Sequence, residues 1–244
     1  MSTTWFESWF DTEYYHLLYQ NRDDKEAQEF LIRLIEFLKI KKGAKVIDIA
    51  CGRGRHSIFL NKCGFDVTGI DIAKKSVEYA NRHKNKHLHF FCHDKRQTFN
   101  KNEFDIALNL FTSFGYLENR EELLDELINM KDNLNENGIL VLDYFNSAKL
   151  VGRDFPVEQM ERKGVAFKIS KEIVGHQVIK NIEVIKEGKT YNFHEKVHLI
   201  TKPEFELLFK DAGLEILHIF GDYYLGDYKS DESDRLMLIA KKSK

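Results

Sequence analysis

One pairing constrains this chain more than any other feature. The run Val46-Ile47-Asp48-Ile49-Ala50-Cys51-Gly52-Arg53-Gly54-Arg55-His56 is apolar, then acidic, then a small-residue turn and a helix start, and Val67-Thr68-Gly69-Ile70-Asp71 follows it. Gly52 and Gly54 let the backbone turn sharply and bring bare N–H groups to a ligand, where a Cβ would obstruct the approach. Asp71 stands some twenty residues beyond the turn, at the end of the second strand, where one carboxylate can accept both hydroxyls of a ribose diol. Strand-to-helix turns also use glycine for purely structural reasons; the turn and the carboxylate together predict a nucleoside site at the mouth of a parallel sheet.

The variant of the turn discriminates between nucleosides. A dinucleotide fingerprint puts a third glycine two residues beyond Arg55, to clear room for a pyrophosphate, and Ser57 stands there instead. The acidic Asp48 in the approach to the turn is poor company for a pyrophosphate but tolerable beside an ammonium and a sulfonium. A sulfonium methyl donor is favoured over a nicotinamide.

With these residues the chain resembles the class I S-adenosylmethionine-dependent methyltransferases. In that family, residues 48–54 would be the first motif and cradle the methionine portion, and Asp71 would bind the ribose. His93-Asp94-Lys95 is similar to the adenine-binding position, with Asp94 accepting from the exocyclic amine. Residues 104–111 resemble the fourth-strand motif and residues 138–143 the fifth strand. The resemblance implies a cofactor shell of Tyr15, Tyr19, Ala50, Gly52, Gly54, Asp71, Ile72, Asp94, Lys95, Asn109 and Phe111 around S-adenosyl-L-methionine. Segments 111–117, 194–201 and 15–19 look like amino-sugar N,N-dimethyltransferases and, more distantly, glycine N-methyltransferases, which act on small amines; His16 departs from the acidic residue those enzymes carry.

The 244 residues, 43% of them hydrophobic, can bury one sizeable core, and no linker, repeat or low-complexity tract divides them. One domain over 1–244 is expected, with amino-terminal helices in 1–40 acting as a lid. Ala27, Phe30, Leu31, Leu34, Ile35 and Leu38 give an amphipathic helix over 24–39. Strands over 45–50, 66–70, 87–92, 104–109 and 138–144 alternate with helices over 55–63, 74–84 and 120–134, which calls for parallel crossovers. The fold class is therefore α/β, doubly wound, and the resemblance implies a seven-stranded, mostly parallel sheet. Between Lys163 and Ile200, short β-branched and aromatic runs broken by Gly175-His176 and Glu187-Gly188-Lys189 predict an insertion of three antiparallel strands. A helix begins just after Pro203 and ends at Gly213. Leu214–Phe220 and Arg235–Ala240 are the last two strands, an antiparallel pair as the resemblance implies, with a long tyrosine-rich loop between them.

A net charge of −2 gives no encouragement to a polyanionic partner, so nucleic acid is disfavoured as substrate. Cys51, Cys63 and Cys92 are odd in number and form no C-x-x-C pair, which fits a reduced, cytoplasmic setting. No apolar stretch is long enough to span a bilayer. Oligomeric state stays open, a homodimer included.

Methyl transfer from a sulfonium is an in-line displacement with a neutral leaving group, so the protein chiefly aligns donor carbon and acceptor and keeps the acceptor's lone pair free. No nucleophile, metal or H-E-x-x-H pattern is needed or found. Tyr15, Tyr19, Phe111, Phe114 and Tyr116 are candidates for aromatic contact with the sulfonium, with ordinary packing the alternative at Phe111 and Phe114. Among ten histidines, His83, His87 and His176 belong to the surface and His56 to the first crossover helix. His198 alternates with Val197 and Leu199, so it faces away from them, into a pocket or into solvent. His198 and Tyr116 are the catalytic candidates; the Tyr223-Tyr224 loop, the insertion and the Tyr15 helix are expected to enclose the acceptor. The competing readings are an RNA or protein methyltransferase, a nicotinamide-dependent oxidoreductase, and a nucleoside-binding module without catalysis.

Overall fold

A computed structural model describes residues 4–20, 24–117 and 119–243, so residues 1–3 and 21–23 of the expected lid lie outside the described residues. The Thr4 amide donates to Glu7 at 3.0 Å to start helix Trp5–Phe10 (α1), and the Thr12 hydroxyl accepts from the Tyr15 amide to start Glu13–Leu18 (α2). Asp24–Leu38 (α3) buries Phe30, Leu31 and Leu34 on one stripe, as the spacing predicts.

Strands Lys45–Ile49 (β1), Asp66–Asp71 (β2), Leu88–Cys92 (β3), Phe104–Asn109 (β4) and Leu134–Phe145 (β5) alternate with helices Arg55–Lys62 (α4), Lys74–Ala80 (α5) and Arg120–Asp132 (α6). Successive residues of one strand feed opposite layers. Ile47 and Ile49 enter a core shared with Leu123, Leu127 and Met130 of α6, and Val46 enters one shared with Phe30 and Leu34 of α3. The helix expected over 74–84 stops at Ala80 and finishes as a 3₁₀ turn, Asn81–His83. β5 starts four residues before the sequence reading.

After β5 the chain makes four antiparallel strands: Glu158–Arg162 (β6), Val165–Val174 (β7), Gln177–Lys186 (β8) and Lys189–His198 (β9), which form a sheet of their own. The three strands expected between Lys163 and Ile200 are β7, β8 and β9, and β6 adds a fourth strand ahead of that range. Its Glu-Gln-Met-Glu-Arg sequence forms a largely exposed edge and carries no apolar alternation to betray it. Lys202–Asp211 (α7) follows, with Pro203 in its first turn and Gly213 left-handed just past its end.

Leu214–Phe220 (β10) and Arg235–Lys242 (β11) complete the main sheet, in which β11 runs antiparallel between β5 and β10. The resulting order is β10-β11-β5-β4-β1-β2-β3, seven strands, mostly parallel. Strand order reverses between β1 and β4, and the carboxyl ends of those strands are where such sheets bind ligands. The inserted sheet and α1 and α2 meet over that edge, with Trp9 and Leu18 buried against Phe167, Ile169, Ile182 and Val184.

Candidate active site

The turn after β1 is left-handed at Ala50 (φ 63°), Gly52 (φ 56°) and Gly54 (φ 78°). Asp71 holds it: Oδ2 accepts from the Gly52 amide at 2.7 Å and Oδ1 from the Ala73 amide at 2.8 Å. Burial raises the Asp71 pKa, and these two amides oppose the rise. The two glycines differ. A Cβ on Gly52 would meet nothing within 4 Å, so space is open to a ligand there, whereas one on Gly54 would lie 2.6 Å from the Phe90 ring. Gly54 therefore makes room for the fold rather than for the ligand. Buried Asn109, at the end of β4, donates to the Ile49 carbonyl at 3.1 Å, and its Oδ1 has no protein partner among the described residues.

Ser57, at the place of the missing glycine, donates to buried Asp48 at 2.5 Å. Burial first, and then the charge of Asp71, push the Asp48 pKa up to about 6 against the Ser57 hydrogen bond. A carboxyl raised in the folded state from about 3.9 when unfolded binds more protons folded than unfolded, so stability falls as pH rises through that window. Asp48→Asn should leave stability unchanged at pH 4 and raise it by about 2–3 kcal/mol at pH 8. Thermal melts at both pH values check this; an equal shift at both would refute it.

Asp71, Ile72, Asp94, Lys95, Tyr116 and Ala50 line a narrow slot of about 50 Å³, roofed by Phe6 and Phe10 of α1. Asp94 accepts from the Arg96 amide at 2.9 Å and its Nε at 2.8 Å. Burial alone would raise Asp94, but Arg96 more than offsets it and holds the carboxyl below its usual range. Lys95 donates to buried Glu126 at 2.5 Å and to the Ser113 carbonyl, so its ammonium braces the loop after β4. α1 is tied to both lips of the slot: Glu7 lies 3.7 Å from Arg96, and Asp11 accepts from the Lys75 amide at 2.8 Å. His16 of α2 rests 3.2 Å from Ser76, and burial and then Arg53 push its pKa down to about 4, leaving it neutral.

Beside the slot lies a cavity of about 320 Å³ bounded by Phe10, Tyr15, Phe111, Thr112, Ser113, Tyr116, Phe145, Lys180, Glu195 and Val197. Phe10 and Tyr116 belong to both walls. Tyr116 donates to the Thr112 carbonyl at 2.7 Å. The structure places His198, a catalytic candidate from the sequence, outside the lining of this cavity. Val197 and Glu195 face the cavity, so His198 turns to the other side of β9, where its ring sits 3.1 Å from the Gln177 amide nitrogen. Glu195 is the group the sequence reading missed: it accepts from Trp9 Nε1 at 2.8 Å and from the Tyr19 hydroxyl at 2.7 Å, with Lys180 at 3.8 Å. Tyr19 is thereby engaged with the inserted sheet, and its ring lies 5.0 Å from that of Tyr15. The Tyr223-Tyr224 loop does not line this cavity: the Tyr223 hydroxyl donates to Asp143 and Tyr224 is 70% exposed under Arg33. His56 stacks on Phe111 at 5.0 Å.

A profile described as a methyltransferase domain matches residues 21–219. The glycine/sarcosine N-methyltransferase of Aphanothece halophytica is 27% identical over 228 residues, 91% of this chain and 83% of the relative. The dTDP-3-amino-3,4,6-trideoxy-alpha-D-glucopyranose N,N-dimethyltransferase of Streptomyces venezuelae is 26% identical over 226 residues, 85% and 91% of the two chains. A crystal structure of an S-adenosylmethionine-dependent methyltransferase from Clostridium acetobutylicum ATCC 824 superposes with a TM-score of 0.80 at 18% identity, covering 95% of this chain and 96% of the other. With the glycine turn, the carboxylate at the end of β2 and the profile match in agreement, the chain belongs to the methyltransferase-domain family and is an S-adenosylmethionine-dependent methyltransferase.

Proposed function

We propose that this methyltransferase acts on the nitrogen of a small-molecule amine held in the cavity beneath the inserted sheet. The observation that carries the reading is the shared wall. Phe10 and Tyr116 line both the slot beside Asp71 and the 320 Å³ cavity, so the two spaces adjoin, and a donor methyl directed out of the slot past these rings would meet an acceptor in the cavity. That volume suits a small acceptor. The two named relatives methylate glycine or sarcosine and an amino sugar, which supports nitrogen as the acceptor atom.

The residues present fit the donor. Gly52 leaves open space, Asp71 offers a carboxylate, and the unpartnered Oδ1 of Asn109 suits an N–H or cationic group. When bound, S-adenosylmethionine supplies an electrophilic methyl group on a sulfonium. The chain's part is positional and electrostatic. Tyr15, Phe111 and Tyr116 present aromatic walls, which favour a nearby cation by about 0.5–2 kcal/mol each. On the cavity wall Lys171 is paired with Glu158 at 2.7 Å and Lys180 stands 3.8 Å from Glu195, so the lysines face the acceptor together with a carboxylate rather than alone. The slot is far smaller than a nucleoside pocket, so α1 shifts outward to admit the donor and acts as its lid, anchored through Glu7 and Asp11.

A screen for S-adenosylhomocysteine release over glycine, sarcosine, free amino sugars, nucleotide-linked amino sugars, phenols, carboxylates and RNA tests the reading. Turnover is expected with amines; turnover confined to RNA or to oxygen acceptors would overturn it. On the best amine, Glu195→Gln should lower kcat/KM by about tenfold to a hundredfold, while His198→Ala stays within about threefold. The reverse ranking would return the acceptor to the opposite face of β9.

A further inference from the structure

Directly after β4, two consecutive residues with bulky side chains, Phe111 (φ 58°) and Thr112 (φ 60°), take the left-handed backbone region. Neither is a residue that adopts it readily, and Thr112 is β-branched, so the conformation is imposed from outside. The imposing group is Asp143, fully buried near the end of β5. Its Oδ2 accepts from the Phe111 amide at 2.7 Å and from the Tyr223 hydroxyl at 3.1 Å, and its Oδ1 accepts from Arg235 Nε at 2.8 Å. Its carbonyl accepts from the Thr112 amide at 3.0 Å, and Arg235 Nη2 reaches on to Thr112 Oγ1 at 3.0 Å. The Tyr223 ring packs 5.3 Å from that of Phe111. One carboxylate from the next strand, one guanidinium from β11 and one tyrosine from the long loop thus converge on two strained residues.

We infer that Asp143, oriented by Arg235 and Tyr223, is the positioning residue that sets the separation of donor and acceptor in this methyltransferase. Phe111, Thr112 and Ser113 face the cavity and Asn109 lies two residues before them at the donor turn, so the path of this segment fixes how far the acceptor stands from the donor side. The inference rests on the cavity being the acceptor's place. Asp143 itself lines neither the slot nor the cavity, and its carboxylate oxygens already accept three hydrogen bonds, which makes it a support rather than an acid or base. A carboxylate is required because every neighbour is a donor: an amide of the same shape would turn its NH₂ against Arg235 on one side or against Phe111 and Tyr223 on the other.

The test uses the full chain and reads backbone and turnover separately. In Asp143→Asn, hydrogen exchange at the Phe111 and Thr112 amides should quicken at least about tenfold, while affinity for S-adenosylhomocysteine stays within about threefold. On the best amine of the panel, kcat should fall at least about tenfold with KM little changed, the signature of lost alignment rather than lost binding. Adding Thr112→Gly, which accepts positive φ freely, should recover at least about threefold in kcat, a rescue that a merely structural acid would not show. Tyr223→Phe, which removes one hydrogen bond and keeps the ring, should quicken exchange at Phe111 while the chain still folds; it decides the matter if Asp143→Asn does not fold. Unchanged exchange at Phe111 and Thr112, or a kcat loss that glycine does not relieve, overturns the inference. If no amine turns over, the exchange measurements still decide the role of Asp143, and it is the acceptor reading that fails.

Discussion

Asp71→Ala is expected to weaken S-adenosylhomocysteine and S-adenosylmethionine binding by about a hundredfold or more, with the fold retained. Two losses combine. A ribose diol on a carboxylate makes charge-assisted hydrogen bonds of about 1.5–3 kcal/mol each, and each such bond is worth about tenfold to a hundredfold in affinity. The same carboxylate also accepts from the Gly52 and Ala73 amides, so its removal loosens the left-handed turn that presents bare N–H groups to the donor. Asp71→Asn should fall between, since its carbonyl oxygen can still accept from one backbone amide and one hydroxyl while its NH₂ cannot accept. Because burial raises the Asp71 pKa, donor affinity should also decline on acidification earlier than an ordinary aspartate would dictate, and this decline should vanish in Asp71→Asn. Calorimetry across pH measures both effects. Wild-type affinity in Asp71→Ala would remove the turn from the donor site altogether.

The parts of this site that the sequence announces are those made by neighbours in the chain. Gly52 and Asp71 are legible because a strand, a turn and the next strand enforce a fixed spacing, and the parallel core is legible because each crossover writes its own apolar period; the same spacing does not say that Gly54 serves Phe90 rather than a ligand. What escapes is decided across long separations. Alternation along β9 offers two faces, and nothing in Glu195-Lys196-Val197-His198 says which one turns inward. That choice is made by Trp9 and Leu18 packing on Phe167, Ile182 and Val184, so Glu195 faces the cavity and His198 faces Gln177. Asp94 and Lys95 line the slot, but the engagement of Asp94 with Arg96, and that of Lys95 with Glu126, depend on side chains that periodicity does not order. The support of Phe111 by Asp143 spans 32 residues, that of Asp143 by Tyr223 spans 80, and that by Arg235 spans 92; a tyrosine-rich loop that reads as a cover for the acceptor is in fact a brace for the loop beneath it. β6 escapes for the opposite reason, since a charged edge strand has no apolar pattern to read.

The largest loss of stability should come from Gly54→Ala. Alanine at φ 78° incurs about 1–2 kcal/mol from the left-handed backbone, and its Cβ would lie 2.6 Å from two carbons of Phe90 and 3.3 Å from the Ala80 Cβ. Phe90 cannot retreat easily. It is 4% exposed, and the missing Cβ of Gly69 on β2 points at the same ring, also 2.6 Å away. Overpacking of this kind costs about 1–3 kcal/mol, so the two effects together reach about 2–5 kcal/mol, or roughly 5–20 °C in melting temperature for a chain of this size. Gly52→Ala is the control: it carries a positive φ (56°) and open space, so it should lose only the backbone share of stability while hindering the donor. Shortening Phe90 to leucine in the Gly54→Ala background should return the steric share and leave the backbone share. Melting curves of the three variants separate these contributions; equal losses at Gly52 and Gly54, or no recovery from Phe90→Leu, would mean that the Phe90 ring does not fill the space that Gly54 leaves and that the turn is held by backbone conformation alone.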